Sequence, residues 1–399
     1  GVDVLRTLLT WNVELDPTLK AILGNRGIGV IEDIRQSRTY YRWNVYVQDR
    51  VEVASRLYVE PGVRFDYYDL IGRSTLAPRM SLSYGLDEVT TLRAGIGRYY
   101  QSPGYEKLVD QQRGGFRELD ERSSGNLLAE QSFHVLLGVD RLLTEEWQIN
   151  LDGYYKRFDD LLQTLIVPGT RYRTFLIPGA DPRRRESWTP PETYQADSIT
   201  TVPVNASHGN AYGVELLLEK RRTSSETRLT GWLSYALAWA NRNENGRWLP
   251  FDFDQRHTVS LVAQYRILDW LEAGLQWRYG SNFPYTPAVG VIPRIVTSGN
   301  GDPVIQTDVA GNVIFDIDRG GPDQQNTARK PPYHRLDLRL TASTVIWGLD
   351  WSFYLDVINV YNRANVLNYG YFVKDDATLG VRETNMFPIL PTLGMSIRF

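Results

Sequence analysis

The chain has 399 residues, 42% hydrophobic and 23% charged, with a net charge of −3. That balance excludes the basic excess of a nucleic-acid binder and the charge-rich, apolar-poor make-up of a disordered chain. The absence of cysteine excludes disulfides, thiolate metal sites and cysteine nucleophiles.

Aromatic residues are abundant, 24 Tyr, 11 Trp and 13 Phe against 3 Met. Such residues are enriched in strands and in membrane-interface belts, and on composition alone a Tyr-rich soluble β protein is an equal alternative. No run approaches about 18 consecutive apolar residues, so no transmembrane helix is encoded. The start, GVDVLR, lacks a basic region followed by an apolar core, so a signal peptide is expected to be missing or removed. Any membrane contact must be made through strands.

The period along the chain is two. Strands are expected near 4–15, 43–53, 57–67, 77–86, 91–100, 130–142, 147–160, 212–222, 228–241, 257–267, 271–280, 334–343, 350–360 and 392–399. In the second, Trp43, Val45, Val47, Val51 and Val53 share one face, interrupted by Asp49, and Asn44, Tyr46, Gln48, Arg50 and Glu52 share the other. Leu57, Val59, Val63, Phe65 and Tyr67 oppose Tyr58, Glu60, Arg64 and Asp66. Ile149, Leu151 and Tyr155 alternate with Gln148, Asn150, Asp152 and Lys156. Further on, Leu271, Ala273, Leu275, Trp277 and Tyr279 oppose Glu272, Gly274, Gln276 and Arg278, and Leu336, Leu338 and Leu340 alternate with Arg335, Asp337 and Arg339. In the last strand Leu393, Met395 and Ile397 oppose Ser396 and Arg398, and the chain ends on Phe399.

A soluble sandwich shows the same alternation, so periodicity leaves the class open. The runs are longer than the usual 5 or 6 residues and match the roughly 9 to 11 of a tilted transmembrane strand. The connections separate the two readings. Short links fall at 54–56, 87–90, 143–146, 223–227, 268–270 and 344–349, and long ones at 16–42, 101–129, 161–211, 281–333 and 361–391, with intermediate ones at 68–76 and 242–256. Alternating tight turns and long excursions mark an outer-membrane barrel, with turns on the periplasmic side and loops outside. The expected fold is therefore all-β, an antiparallel transmembrane β-barrel with about 14 strands present. Leu393, Met395 and Ile397 would face lipid, Arg64, Glu272 and Arg278 the wet lumen, and the last strand would pair with the first so that no edge is left free.

Several stretches in order resemble the C-terminal barrel region of TonB-dependent receptors: APRMSLSY (77–84), TLRAGIGRYYQSP (91–103), FDQRH (253–257), FPYTP (283–287), YHRLDLR (333–339), YLDVINVYNRANV (354–366) and the terminal Phe399, which resembles the assembly signal of outer-membrane proteins. The likeness runs from about residue 40 to the end, and is nearest to the large receptors of environmental Gram-negative bacteria. It implies a barrel of about 22 strands, a plug domain that contacts TonB, and active uptake of a scarce solute across the outer membrane. No plug-like α/β region is visible here, so residues 1–399 read as barrel region alone, either part of a larger barrel or a smaller complete one.

The remaining motifs argue against chemistry. His134, His208, His257 and His334 have no partner at metal-ligand spacing, and His257 and His334 begin strands at a rim. The acids around Asp316-Ile-Asp-Arg-Gly-Gly321 lack the ligand set of a calcium loop. Gly95-Ile-Gly97 lies within a strand with no helix after it, which fits close packing or curvature rather than phosphate binding. No nucleophile elbow of the G-x-S-x-G kind occurs. No metal, cofactor or catalytic residue is expected.

The best ligand candidates are Arg171, Tyr172, Arg173, Arg183, Arg184, Arg185, Trp188 and Tyr194 in the longest connection, with Trp248 and Tyr285 elsewhere. Clustered guanidinium and aromatic groups suit anionic or sugar ligands, or lipopolysaccharide phosphates, and they equally suit a solvated loop. The expected partners are membrane lipid and lipopolysaccharide, a small solute or oligomeric nutrient, TonB through the plug, and a surface lipoprotein. Two other functions remain open: a passive diffusion channel, and a structural barrel anchoring a surface assembly. The solute itself is not legible.

Overall fold

The computed structural model describes residues 2–13, 34–104 and 127–398. Its wall is built from β1 (Val2–Val13), β2 (Ile34–Gln48), β3 (Leu57–Tyr68), β4 (Arg73–Gly85), β5 (Thr90–Gln101), β6 (Glu130–Leu142) and β7 (Trp147–Arg173). It continues through β8 (Glu192–Lys220), β9 (Leu229–Glu244), β10 (His257–Leu268), β11 (Leu271–Gly280), β12 (Tyr333–Ile346), β13 (Leu349–Ile358) and β14 (Leu390–Arg398). Each pairs antiparallel with the next in chain order, a single long meander. Short strands Val51–Ala54 and Arg247–Pro250 attach to β3 and β9.

All fourteen expected strands are present, with three differences. Asp49, which interrupts the apolar alternation, sits at a break in the ladder. It lies opposite Pro61, which has no N–H to donate, so only the bond from Asp49 N to Pro61 O closes there, at 3.1 Å. The connection expected over 161–211 is largely strand. β7 and β8 run on as a paired ribbon past a bulge near Asp160, whose φ is +56°. At 27 residues β7 is about 90 Å long, far more than the roughly 30 Å thickness of a hydrocarbon core. Finally, β1 and β14 do not pair with each other among the described residues, so the sheet has two edges where a closed ring was expected. The strand residues expected at 14–15, much of the connections 16–42 and 101–129, and Phe399 lie outside the described residues.

Register places every side chain on one of two faces. Trp43, Val63, Leu76, Ile96, Leu137, Leu151, Val214, Leu338, Phe353, Leu393, Met395 and Ile397 belong to the apolar face, and all are exposed. Leu137 and Leu393 keep 63% and 84% of their accessible surface. Among the described residues no helix layer or second large sheet covers this face. Aromatic residues edge it on both sides. Tyr84, Trp147, Tyr265, Trp351, Trp270 and Trp347 lie near the tight turns. Trp43, Phe65, Tyr67, Tyr155, Tyr212, Trp239 and Tyr279 lie toward the long connections, with Trp43 against Phe65 at 5.4 Å and Tyr212 on Trp239 at 5.4 Å. An apolar band between two aromatic girdles is the outer surface of a membrane barrel.

The opposite face is a lattice of charges. Arg64 and Arg42 share Asp66 at 2.7 and 3.1 Å, and Arg339 holds Asp356 at 2.8 Å while lying over the Tyr354 ring. Glu272 reaches Arg222 at 3.7 Å. Arg278 stands on the same face, opposite Ser260 and Arg335. Some of these contacts cross a whole strand. Arg79 on β4 donates to Gln48 on β2 at 2.6 Å, over Gly62 of β3. Arg93 on β5 bonds Asp140 on β6 and also Asp152 on β7, at 2.7 and 3.0 Å, over Gly138. A Cβ at Gly138 would meet Asp152 Oδ1 and come within 3.3 Å of Arg93 Nη2. Gly97 is similarly tight, its Cβ position 3.0 Å from Arg79 Cβ, whereas at Gly95 the nearest atom is 3.8 Å away, so close packing within Gly95-Ile-Gly97 holds at Gly97 alone.

Gly138→Val is therefore expected to break the Arg93–Asp152 bridge and lower stability by about 1–3 kcal/mol, the usual range for overpacking. Gly153→Ala, on the open face with nothing within 4 Å, should change it by less than about 0.5 kcal/mol. Denaturant unfolding of the two variants in lipid vesicles compares them directly, and equal losses would refute the strand-crossing role.

Candidate functional site

The ends of the wall carry opposite constructions. On the turn side, Glu146 accepts from Lys220, and from Thr227 Oγ1 at 2.6 Å, tying two neighbouring turns together. Those bonds hold its carboxyl below the usual carboxylate range. On the other side, three long excursions fold on each other.

The first is the cap of the β7–β8 ribbon. Thr174 Oγ1 donates to Thr189 O at 2.6 Å, and Ile177 N to Ser187 O at 2.8 Å. Asp181 then clasps Arg183, accepting from its backbone N, Nε and Nη2 at 3.0 Å each. The Arg183 bonds hold the Asp181 carboxyl below its ordinary range and raise Arg183 further. Trp188 Nε1 donates to Pro182 O at 2.7 Å, which orients the indole.

The second excursion, 281–332, builds small hairpins of its own: Gly290–Pro293 with Phe315–Asp318, and Ile295–Thr297 with Pro303–Ile305. The acids of this excursion are engaged locally. Asp316 takes Arg294 Nε at 2.9 Å, Asp318 takes Gly320 N at 2.8 Å, and Asp308 takes Ala310 N and Asn312 N at 2.9 Å each. The third excursion is the hairpin Val366–Val373 with Leu379–Asn385. Its root is the asparagine-rich stretch after β13. Asn359, fully buried, donates Nδ2 to Arg363 O and Phe387 O at 3.0 and 3.1 Å.

These segments meet. Val313 N donates to Arg183 O at 2.8 Å, Arg184 bridges Asn312, and Trp188 packs edge-on against Phe315 at 6.0 Å. Lys330 Nζ reaches Leu367 O at 2.7 Å, Tyr285 meets Tyr369 at 5.0 Å, and Arg319 lies over Tyr371. Between them is a cleft of about 590 Å³, lined by Arg183, Asn312, Val313, Phe315, Lys374 and Asp375 among others. It combines two cations, one carboxylate and an aromatic edge, and among the described residues no carboxylate lies within ion-pair distance of Lys374.

Of the expected ligand residues, Arg183 lines this cleft and Trp188 backs it through Phe315. Arg184 joins by its backbone, and Arg185 opens a short 3-10 turn facing solvent. Arg171, Tyr172, Arg173 and Tyr194 are not loop residues but lie on the ribbon below. Arg173 bonds Glu192 at 2.9 Å and stacks over Tyr194 and Phe175. Tyr285 is a strut between excursions, its hydroxyl pKa raised by burial. Trp248 sits apart, edge-on to His208. Sequence reasoning missed Phe315, Lys374 and Asp375, which no spacing links to Arg183.

An antiparallel meander with an uncovered apolar face, a charged inner face and long excursions at one end is the wall of an outer-membrane-type barrel. The chain belongs to the TonB dependent receptor-like, beta-barrel family, whose model matches residues 7–360. Members and neighbours are receptors and transporters, not enzymes. The ferric enterobactin receptor of Pseudomonas aeruginosa is 33% identical over 66 residues, 16% of this chain and 9% of the relative. The ferrienterobactin receptor of Escherichia coli K12 is 28% identical over 102 residues, 23% and 14% of the two chains. Among solved structures, the transporter YddB of Escherichia coli superposes with a TM-score of 0.54 at 12% identity, covering 92% of this chain and 46% of YddB. The siderophore receptor PirA of Acinetobacter baumannii gives 0.54 at 13% identity, covering 82% and 43%. At such identities the likeness is one of fold. The chain spans less than half the length of these solved relatives.

Proposed function

We propose that this chain is barrel wall of an outer-membrane active transporter, which captures a scarce solute between its three outer excursions and imports it with TonB-coupled energy. The family match carries the transport class, and the cleft lined by Arg183, Phe315, Lys374 and Asp375 supports capture there. Both sheet edges would continue into further strands, to about 22 in the whole barrel, around a plug domain that contacts TonB. The charged inner face suits a polar plug and a wet path beside it. Cations beside an aromatic edge favour an anionic ligand with flat rings, and the partial relatives named for ferric enterobactin make ferric chelates the first class to try.

The test uses the full-length receptor and a panel of ferric chelates, with quenching of tryptophan fluorescence as the signal and Trp188→Phe as its control. One member of the panel is expected to quench. Arg183→Ala with Lys374→Ala should weaken that binding at least tenfold, as loss of two charge-assisted contacts implies. Uptake should vanish in cells without TonB. Uptake that persists there would instead mark a passive channel, and unaltered binding in the double variant would remove the cleft from the reading.

A further inference from the structure

The outward face changes character along three neighbouring strands. From the turn side upward, β5 presents Leu92, Ala94 and Ile96, then Arg98. β6 presents Val139, Leu137 and Val135, then Phe133. β7 presents Ile149, Leu151, Gly153 and Tyr155, then Arg157. Register sets Arg98 opposite Phe133 and Phe133 opposite Arg157, so the three form one row directly above the apolar band. Two strand spacings of roughly 4.8 Å put the arginine backbones about 10 Å apart.

Neither arginine points to the charged face, where Arg64, Arg93 and Arg339 hold carboxylates. Both are exposed. Among the described residues Arg98 has no ion-pair partner. Arg157 holds Asp159 through Nε and Nη2, at 3.0 Å each, which leaves Nη1 open. The other acid nearby, Asp160, is taken by Gln131 at 2.9 Å. A guanidinium within hydrocarbon is expensive, so the apolar core must end at or below this row and the arginines must sit at headgroup depth. An anion at that depth would complete Arg98 and face the open edge of Arg157, while Phe133 and Tyr155 meet the acyl chains beneath.

We propose that Arg98, Phe133 and Arg157 form an outward docking site for the phosphorylated headgroup of an outer-leaflet glycolipid, lipid A. This rests on the reading that the apolar face meets lipid. A guanidinium pair matches phosphate by bidentate, charge-assisted bonds, and a bisphosphorylated disaccharide is broad enough to touch both ends of a row about 10 Å wide. The site would orient the wall at the outer leaflet and is separate from the solute cleft.

The test places the full-length receptor in phosphatidylcholine nanodiscs doped with bisphosphorylated lipid A or with phosphatidylglycerol, and reads retained lipid by native mass spectrometry. Wild type should retain lipid A over phosphatidylglycerol. Arg98→Ala with Arg157→Ala should lose it about tenfold to thirtyfold, as expected if each cation near an anionic lipid surface contributes about 1 kcal/mol. The double lysine variant should keep most of the retention, and Arg141→Ala, at the opposite edge of the band, should keep all of it. Equal retention by wild type and the alanine pair overturns the site. Equal retention of the two lipids overturns the choice of lipid A. Failure of the wild type to enter nanodiscs at all would sink the membrane reading itself, a result distinct from either.

Discussion

Leu137→Arg is expected to destabilise the receptor in lipid vesicles by about 2–4 kcal/mol, while Leu136→Arg, one residue away, changes it by less than about 1 kcal/mol. Both side chains are apolar and exposed, at 63% and 40%. A rule that reads only hydrophobicity treats them alike. Register separates them. Leu137 shares its face with Ala94 and Gly153, midway up the open band, whereas Leu136 lies over Gly95 beside Tyr154 on the charged face. An arginine at 137 would have to leave water for hydrocarbon. At 136 it would join a wet lattice that already includes Arg93, Asp140 and Asp152. Chemical unfolding of the full-length receptor from vesicles measures both. Equal effects would mean that the apolar face is covered by something other than lipid.

The second large effect is expected at Asp254, whose side chain is 1% exposed. Its carboxylate accepts Ala240 N at 2.8 Å and an Arg329 guanidinium nitrogen, while Arg329 Nη1 also donates to Asp254 O at 2.6 Å. Asn326 adds bonds to Pro250 O and Asp252, at 3.1 and 2.6 Å, so the end of the 281–332 excursion is stapled to the turn before β10. Asp254→Ala leaves Ala240 N without its acceptor and takes from Arg329 its carboxylate partner, leaving it the backbone oxygens of residue 254 and Asn282. It should lower stability by about 3 kcal/mol, the lower end of the range for breaking a buried pair, since Arg329 is itself partly exposed. Asp254→Asn, which keeps an acceptor for Ala240 N, should lose less. Limited trypsin digestion gives a local readout, with cleavage at the exposed Arg294 and Arg319 accelerated in the alanine variant. Unchanged cleavage would show that the staple does not hold the excursion down.

Within the membrane-height part of the wall the sequence was nearly transparent, because each strand had to put alternate residues into two different solvents. Above it that requirement lapses. The upper part of the β7–β8 ribbon has no regular alternation to mark it, since Leu161, Leu162, Leu165, Ile166 and Val167 fall on both faces, and Pro168, Gly169 and Pro203 argue for loop. They are tolerated because the ribbon is two-stranded, so the N–H that a proline lacks can lie on an edge that faces water. The break at Asp49 was visible as a fault in the alternation, but its cause, Pro61 across the ladder, required the pairing.

By itself, then, the sequence determined the class of wall, the order of its strands, which residues share which face and which end carries the excursions, since all of these follow from local alternation and the lengths between. Only the tertiary structure decided what lies across from what. It brought Arg183 to Phe315 and Lys374, laid Arg93 over Gly138 to Asp152, aligned Arg98 with Arg157, and among the described residues left β1 and β14 unpaired with each other. Those relations depend on register and on contacts between segments far apart in the chain, and side-chain alternation, identical for every register shift of two, carries no information about them.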